Sequence, residues 1–235
     1  MVNELLWLIL LLVNFAAILL AYRVWGRLGL FIWIPVAVMV ANIQVTKTIE
    51  IFGITATLGN IVYASSFLVT DILSENYGKK EAGRAVIIGF FALIMFTLMM
   101  NLALFFEPSL EDFAHESLST IFGFLPRIML ASLAAYGVSQ SHDVWAFHYW
   151  KKKWPATKHL WLRNNLSTMV SQLLDSVIFT LIAFYGVFST GVLLEIMLTT
   201  YLLKWIVAAL DTPFVYLGKY MFKHYNHLSV GTSLF

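Results

Sequence analysis

The chain has 235 residues, of which 60% are hydrophobic and only 12% charged, with a mean hydropathy of +0.80. A soluble globular chain is about 45–50% apolar and about 25% charged, so this excess of apolar surface calls for a bilayer as solvent. The net charge of +2 is uninformative as a sum, and with no cysteine, disulfides and thiolate metal sites are excluded.

A bilayer-spanning helix needs about 20 mostly apolar residues. In chain order, seven segments qualify, approximately 4–22, 30–48, 55–75, 84–106, 124–148, 164–186 and 192–218. The expected fold is an all-α integral membrane protein, a bundle of six or seven transmembrane helices. The count depends on whether the first segment crosses the bilayer or lies along its surface. That segment lacks a basic n-region and a small-residue cleavage site, so it is read as part of the mature protein. One transmembrane domain over 1–235 is expected. The longest connection, Glu107–Glu116, is acidic, contains Pro108, and should be solvated.

Of the 15 basic residues, all but Lys47, Arg127 and Lys204 fall on alternate connections, after the first, third, fifth and seventh segments. The positive-inside rule then places the N-terminus outside and the C-terminus in the cytoplasm. Trp145, Trp150, Trp154 and Trp161 suit an interfacial belt, and His142, His148 and His159 lack the helical spacing of a metal site. No metal or cofactor is expected.

Several ionisable residues lie within the segments, among them Asp71, Arg127, Asp143, Asp175, Lys204 and Asp211. Each costs roughly 2.5–3.5 kcal/mol at a helix centre, so such residues face the bundle interior and mark a path or a site. An ion-pair network that only fixes helix packing is the plainer explanation. It is incomplete, because four carboxylates face two cations. In the sixth segment Asn165, Thr168, Gln172, Asp175 and Phe179 recur at steps of three and four and share one helix face. In the fifth, Tyr136, Gln140, Asp143 and Phe147 do the same. Val138–Phe147 and Val170–Phe179 share Val, Ser, Gln, Asp and Phe at equivalent positions. Interhelical hydrogen bonds of about 0.6 kcal/mol each would account for one such stripe. Two matching stripes favour a shared polar cavity near the midplane. Asp71 and Glu75 share a face of the third segment, and Asp71-x6-Gly78-Lys79 parallels Asp211-x6-Gly218-Lys219. No P-loop, nucleophile elbow or His-Glu-x-x-His is present, so the chain is not expected to be an enzyme. Paired buried aspartates alone leave an intramembrane aspartyl protease as a remote alternative.

Ser66-Phe-Leu-Val-Thr-Asp-Ile-Leu-Ser-Glu-Asn-Tyr-Gly-Lys-Lys80 resembles the signature segment of the queuosine precursor transporter family, also called vitamin uptake transporters. Arg127 with Ala131 and Ser132, the Val-Ser-Gln-x-x-Asp-Val segment, Trp161–Thr168 and the stretch from Lys204 to Pro213 are similar too. The resemblance covers most of the chain after about residue 30. It implies import, across a bacterial inner membrane, of 7-cyano-7-deazaguanine or its aminomethyl relative for queuosine synthesis in tRNA. Such a base presents N1–H and an exocyclic amine side by side, which a carboxylate accepts, while O6 takes an amide or cationic donor. Asp175 and Gln172 are expected to hold the base. Asn165, Gln140, Asp143, Arg127 and Lys204 assist, and Tyr136 and Phe179 stack on it. Asp71, Glu75 and Asp211 are expected along the inner path or in coupling. The expected partners are the deazapurine and the bilayer, with no nucleic acid. A homodimer is suggested by small size. The nearest alternative is a substrate-binding subunit of a multi-component vitamin importer with separate ATPases.

Overall fold

The computed structural model describes residues 2–154 and 160–225, except the side chains of 140, 143, 144, 147, 148, 151, 160–168 and 209. The elements are α1 (Val2–Trp25), α2 (Arg27–Gln44), β1 (Thr48–Ile51), β2 (Ile54–Thr57), α3 (Asn60–Tyr77), α4 (Lys79–Ala103), α5 (His115–Phe122), α6 (Leu125–Lys153), α7 (Leu160–Phe184) and α8 (Thr190–His224). Helices dominate because a backbone in lipid must satisfy its own hydrogen bonds.

Among the described residues, α1, α2, α4, the stretch 115–139 and α8 are long and apolar enough to cross a membrane. The third expected span, α3, falls short of that measure, and residues 169–184 of α7, the sixth expected span, form a shorter apolar helix among the described residues. The polar stripe of α3 lowers its average, and Asn60, Tyr63, Phe67 and Asp71 of that stripe line the interior of the bundle. The first segment is no surface helix. Leu11, Phe15, Ile18 and Tyr22 of α1 are fully buried against Leu30, Leu68, Ile72 and Leu73 of α2 and α3. A second core joins α6, α7 and α8 through Ile128, Ala131, Ala183, Phe184 and Ile196. Lipid offers no hydrophobic drive between helices, so close van der Waals packing must hold them. Gly218 shows this: a Cβ there would lie 2.9 Å from Ile72 Cγ1, so α8 approaches α3 more closely than a side chain allows.

Two boundaries differ from expectation. The second and third spans were expected to run to 48 and from 55, yet β1 and β2 pair antiparallel, with Ile51 opposite Ile54. Phe52 and Gly53 both have positive φ, 53° and 76°, as a two-residue hairpin turn requires. The apolar Ile-rich run there is a strand pair, which hydropathy alone does not distinguish from a helix end. The hairpin is tied to the bundle. Thr55 N–H donates to Glu195 of α8 (3.1 Å), Thr199 donates to the Thr55 carbonyl (3.0 Å), and Phe52 N–H donates to Glu4 of α1 (2.9 Å). The solvated connection lies earlier than expected, over 104–114, because α4 ends at Ala103 and α5 begins at His115. The N–H groups of His115 and Ala114 donate to Asp112, holding its carboxyl below the usual carboxylate range.

The bundle has two chemically distinct ends. At one lie the hairpin, Glu4, Glu50, α5 and Glu195. At the other, Arg27 bonds Glu81 (3.3 Å), Lys219 pairs with Glu75, and Arg23 stacks over Tyr225. Gly78, at φ 92°, makes the abrupt turn from α3 to α4 at this basic end.

Candidate binding site

A small buried cavity lies between α2, α3, α6, α7 and α8, lined by Asn42, Asn60, Tyr63, Ser132, Asp175, Phe179, Thr200 and Lys204 with small apolar neighbours. Its free space is about 30 Å³. Ligand pockets for small molecules hold about 300–1,000 Å³, so this space must widen to admit a ligand.

Each polar group has a local cause. Asp175 and Phe179 stand four apart on α7, and Thr200 and Lys204 four apart on α8, so each pair shares a face. Asp175 is 8% exposed and Lys204 6%, and the two form an ion pair. Ser139 of α6 donates to the other carboxylate oxygen at 3.4 Å. The Lys204 ammonium also sits 5.7 Å from the centre of the Tyr63 ring, a cation–π distance. Asn60 donates its amide hydrogens to Thr57 and Thr200, both at 2.8 Å, and thereby ties the hairpin to α3 and α8. The Asn42 carbonyl accepts from Ser132 at 3.0 Å. The cavity thus offers one carboxylate, one ammonium, neutral amides and hydroxyls, and two aromatic rings, all in low dielectric.

Toward the basic end a far larger space of about 890 Å³ opens between α3, α7 and α8. Its walls include Phe67, Asp71, Glu75, Gln172, Trp205, Asp211 and Lys219. Among the described residues, Lys204 alone lines both spaces. Lys204, paired with Asp175, therefore stands between cavity and vestibule.

The structure brings some of the expected residues together and separates others. Asp175, Phe179 and Lys204 meet in the cavity. Gln172, one turn from Asp175, faces the vestibule, and its carbonyl oxygen is buried without a hydrogen-bond donor. Asp71, Glu75 and Asp211 line the vestibule. Tyr136 packs edge-on against Phe90, ring centres 4.7 Å apart, and lines neither space. Arg127 lies at the opposite end of α7. It donates to the Ile182 carbonyl at 2.7 Å and the Tyr185 carbonyl at 2.5 Å, satisfying carbonyls that a helix C-terminus leaves open. The side chains of Gln140, Asp143 and Asn165 lie outside the described residues.

Sequence reasoning missed Asn42, Asn60, Tyr63, Ser132 and Thr200. For α3 a signal existed. Asn60, Tyr63, Phe67, Asp71 and Glu75 step by three and four and form one stripe that runs from the cavity into the vestibule. Ser132 stands four residues before Tyr136, at the head of the fifth segment's stripe, whereas Asn42 stands singly on an apolar helix and carries no periodic signal.

A family described as "Putative vitamin uptake transporter" matches residues 57–218, from β2 into α8. A "Probable queuosine precursor transporter" of Bacillus subtilis (strain 168) is 45% identical over 221 residues, 94% of this chain and 96% of the relative. The "Queuosine precursor transporter" of Escherichia coli (strain K12) is 26% identical over 174 residues, 72% of this chain and 74% of the relative. A "Probable queuosine precursor transporter" of Haemophilus influenzae is 29% identical over 134 residues, 57% of this chain and 54% of the relative. No solved structure matches the chain. The matched span contains the turn at Gly78 and both Asp175 and Lys204, and the chain belongs to the queuosine precursor transporter family of multi-pass membrane transporters.

Proposed function

We propose that the chain imports a 7-deazaguanine precursor of queuosine, 7-cyano-7-deazaguanine or its aminomethyl relative, across the bacterial inner membrane by alternating access. The observation that carries this reading is the buried Asp175 carboxylate in a cavity walled by Tyr63 and Phe179. A carboxylate accepts the N1–H and exocyclic amine of such a base side by side, and the Asn42 amide lies within the same cavity for O6. Stacking on an aromatic face adds about 1–3 kcal/mol per base. The names of the relatives support the substrate class.

The vestibule at the basic end supports an inward-open form with the site occluded beneath it. With the basic end in the cytoplasm, α1 starts outside and α8 ends inside, as the distribution of Lys and Arg requires. In the outward-facing form the hairpin end must part instead, letting the base reach Asp175 from the other side. Throughout, the chain's own part is to bind, orient and enclose the base, with no covalent step.

The test is uptake of labelled 7-cyano-7-deazaguanine by the purified protein in liposomes, with guanine as competitor. Saturable uptake, weakly inhibited by guanine and absent in Asp175→Asn, is expected. Tight binding without uptake would point to a missing energising partner. Normal uptake by Asp175→Asn would remove Asp175 from the site.

A further inference from the structure

Lys204 holds the position that the base must take. Its ammonium occupies Asp175, the one carboxylate lining the cavity among the described residues, and its stem reaches into the vestibule. A base presenting two donors to both oxygens of Asp175 must displace it. The vestibule is lined by carboxylates that have no counter-ion among the described residues. Asp71 of α3 and Asp211 of α8 face it, and neither has an ion pair or hydrogen bond among the described residues. Asp211 is only 5% exposed. The other charges there are committed or remote: Glu75 pairs with Lys219, and Lys79 is exposed at the mouth. A buried carboxylate such as Asp211 without a counter-ion is costly and draws a cation toward it, and Asp71, which is exposed, adds a second carboxylate to the same space.

We propose that Lys204 is an internal competitor of the transported base for Asp175, and that Asp71 and Asp211 hold its charge when the base displaces it. This rests on the reading that Asp175 binds the base. In the empty carrier Lys204 neutralises Asp175, so the cavity can stay closed around it. In the loaded carrier the base takes Asp175, and the ammonium turns into the vestibule toward two carboxylates that lack partners. Lys204 is thus a positioning residue that links occupancy of the cavity to the charge of the inner path.

The test is equilibrium binding of labelled 7-cyano-7-deazaguanine to the purified full chain in lipid nanodiscs. Lys204→Met should bind more tightly, by on the order of tenfold, the factor by which a competitor holding the site nine-tenths of the time lowers apparent affinity. Asp211→Asn and Asp71→Asn should weaken binding several-fold in the wild-type background and have no effect in the Lys204→Met background. Thermal melts of each variant without the probe establish that it is folded, and Lys204→Gln replaces Lys204→Met if the latter is not. Binding by the Lys204 variant no tighter than wild type overturns the proposal. So does an Asp211→Asn effect that is equal in both backgrounds. Absence of binding to the wild type overturns the substrate reading itself, and the competitor with it.

Discussion

Removing Lys204 and removing Asp175 break the same ion pair but strand different charges, and the structure says which loss is larger. Without Lys204, Asp175 is a carboxylate in a cavity of about 30 Å³ with one hydroxyl, Ser139, at 3.4 Å. Stranding a buried charge in this way costs about 3–5 kcal/mol. Without Asp175, Lys204 keeps the face of Tyr63 and a stem that borders the 890 Å³ vestibule. Its ammonium can turn to water, and the loss falls toward the value of an exposed pair, about 1 kcal/mol. For a chain of this size each kcal/mol moves the melting midpoint by about 2–4 °C. Lys204→Met should therefore lower it by on the order of 10 °C, and Asp175→Asn by only about 3 °C. The double variant carries neither charge and should recover most of the Lys204→Met loss. The assay is thermal unfolding in detergent, followed by the fluorescence of the chain's 8 Trp at one fixed scan rate. An Asp175→Asn loss equal to or above that of Lys204→Met refutes the reasoning, as does a double variant no more stable than Lys204→Met.

Gly218→Val should separate α8 from α3 at a cost of about 1–3 kcal/mol, because its Cβ meets Ile72 at 2.9 Å. Ile72→Ala in the same chain should restore part of that loss in a melting experiment, and no restoration would place the strain elsewhere. Glu195→Ala removes the acceptor of Thr55 N–H, so a spin label at Phe52, which is 75% exposed, should gain mobility. An unchanged spectrum would show that Thr199 and α1 hold the hairpin unaided. Because the chain has no cysteine, single cysteines report its orientation directly. In intact cells Ser109→Cys should react with a membrane-impermeant maleimide and Lys80→Cys should not, and the reverse pattern would invert the topology.

Much of this architecture was legible in the residues because a bilayer constrains local sequence so strongly. A run of about 20 apolar residues has few alternatives to a helix in lipid. Basic residues between runs mark one side, so the alternation of Arg23, Lys79, Lys152 and Lys219 with the acidic connections follows the two ends of the bundle. The Asp175–Phe179 stripe was readable because a helix places every third or fourth residue on one face.

What tertiary structure decided is which stripes meet. Arg127 and Lys204 look alike in sequence, each a lone cation in an apolar helix. Packing sends Arg127 to the carbonyls ending α7 and Lys204 to Asp175, because the partners lie 55 and 29 residues away and only the fold brings them near. The hairpin at 48–57 escaped because four-residue strands carry too little periodicity to separate from a helix end. The division into a small cavity and a large vestibule arises from the packing of α3, α7 and α8, and Lys204 lines both. Local sequence determines helices and their sides through near-neighbour physics, whereas the site depends on distances between elements that no local pattern encodes.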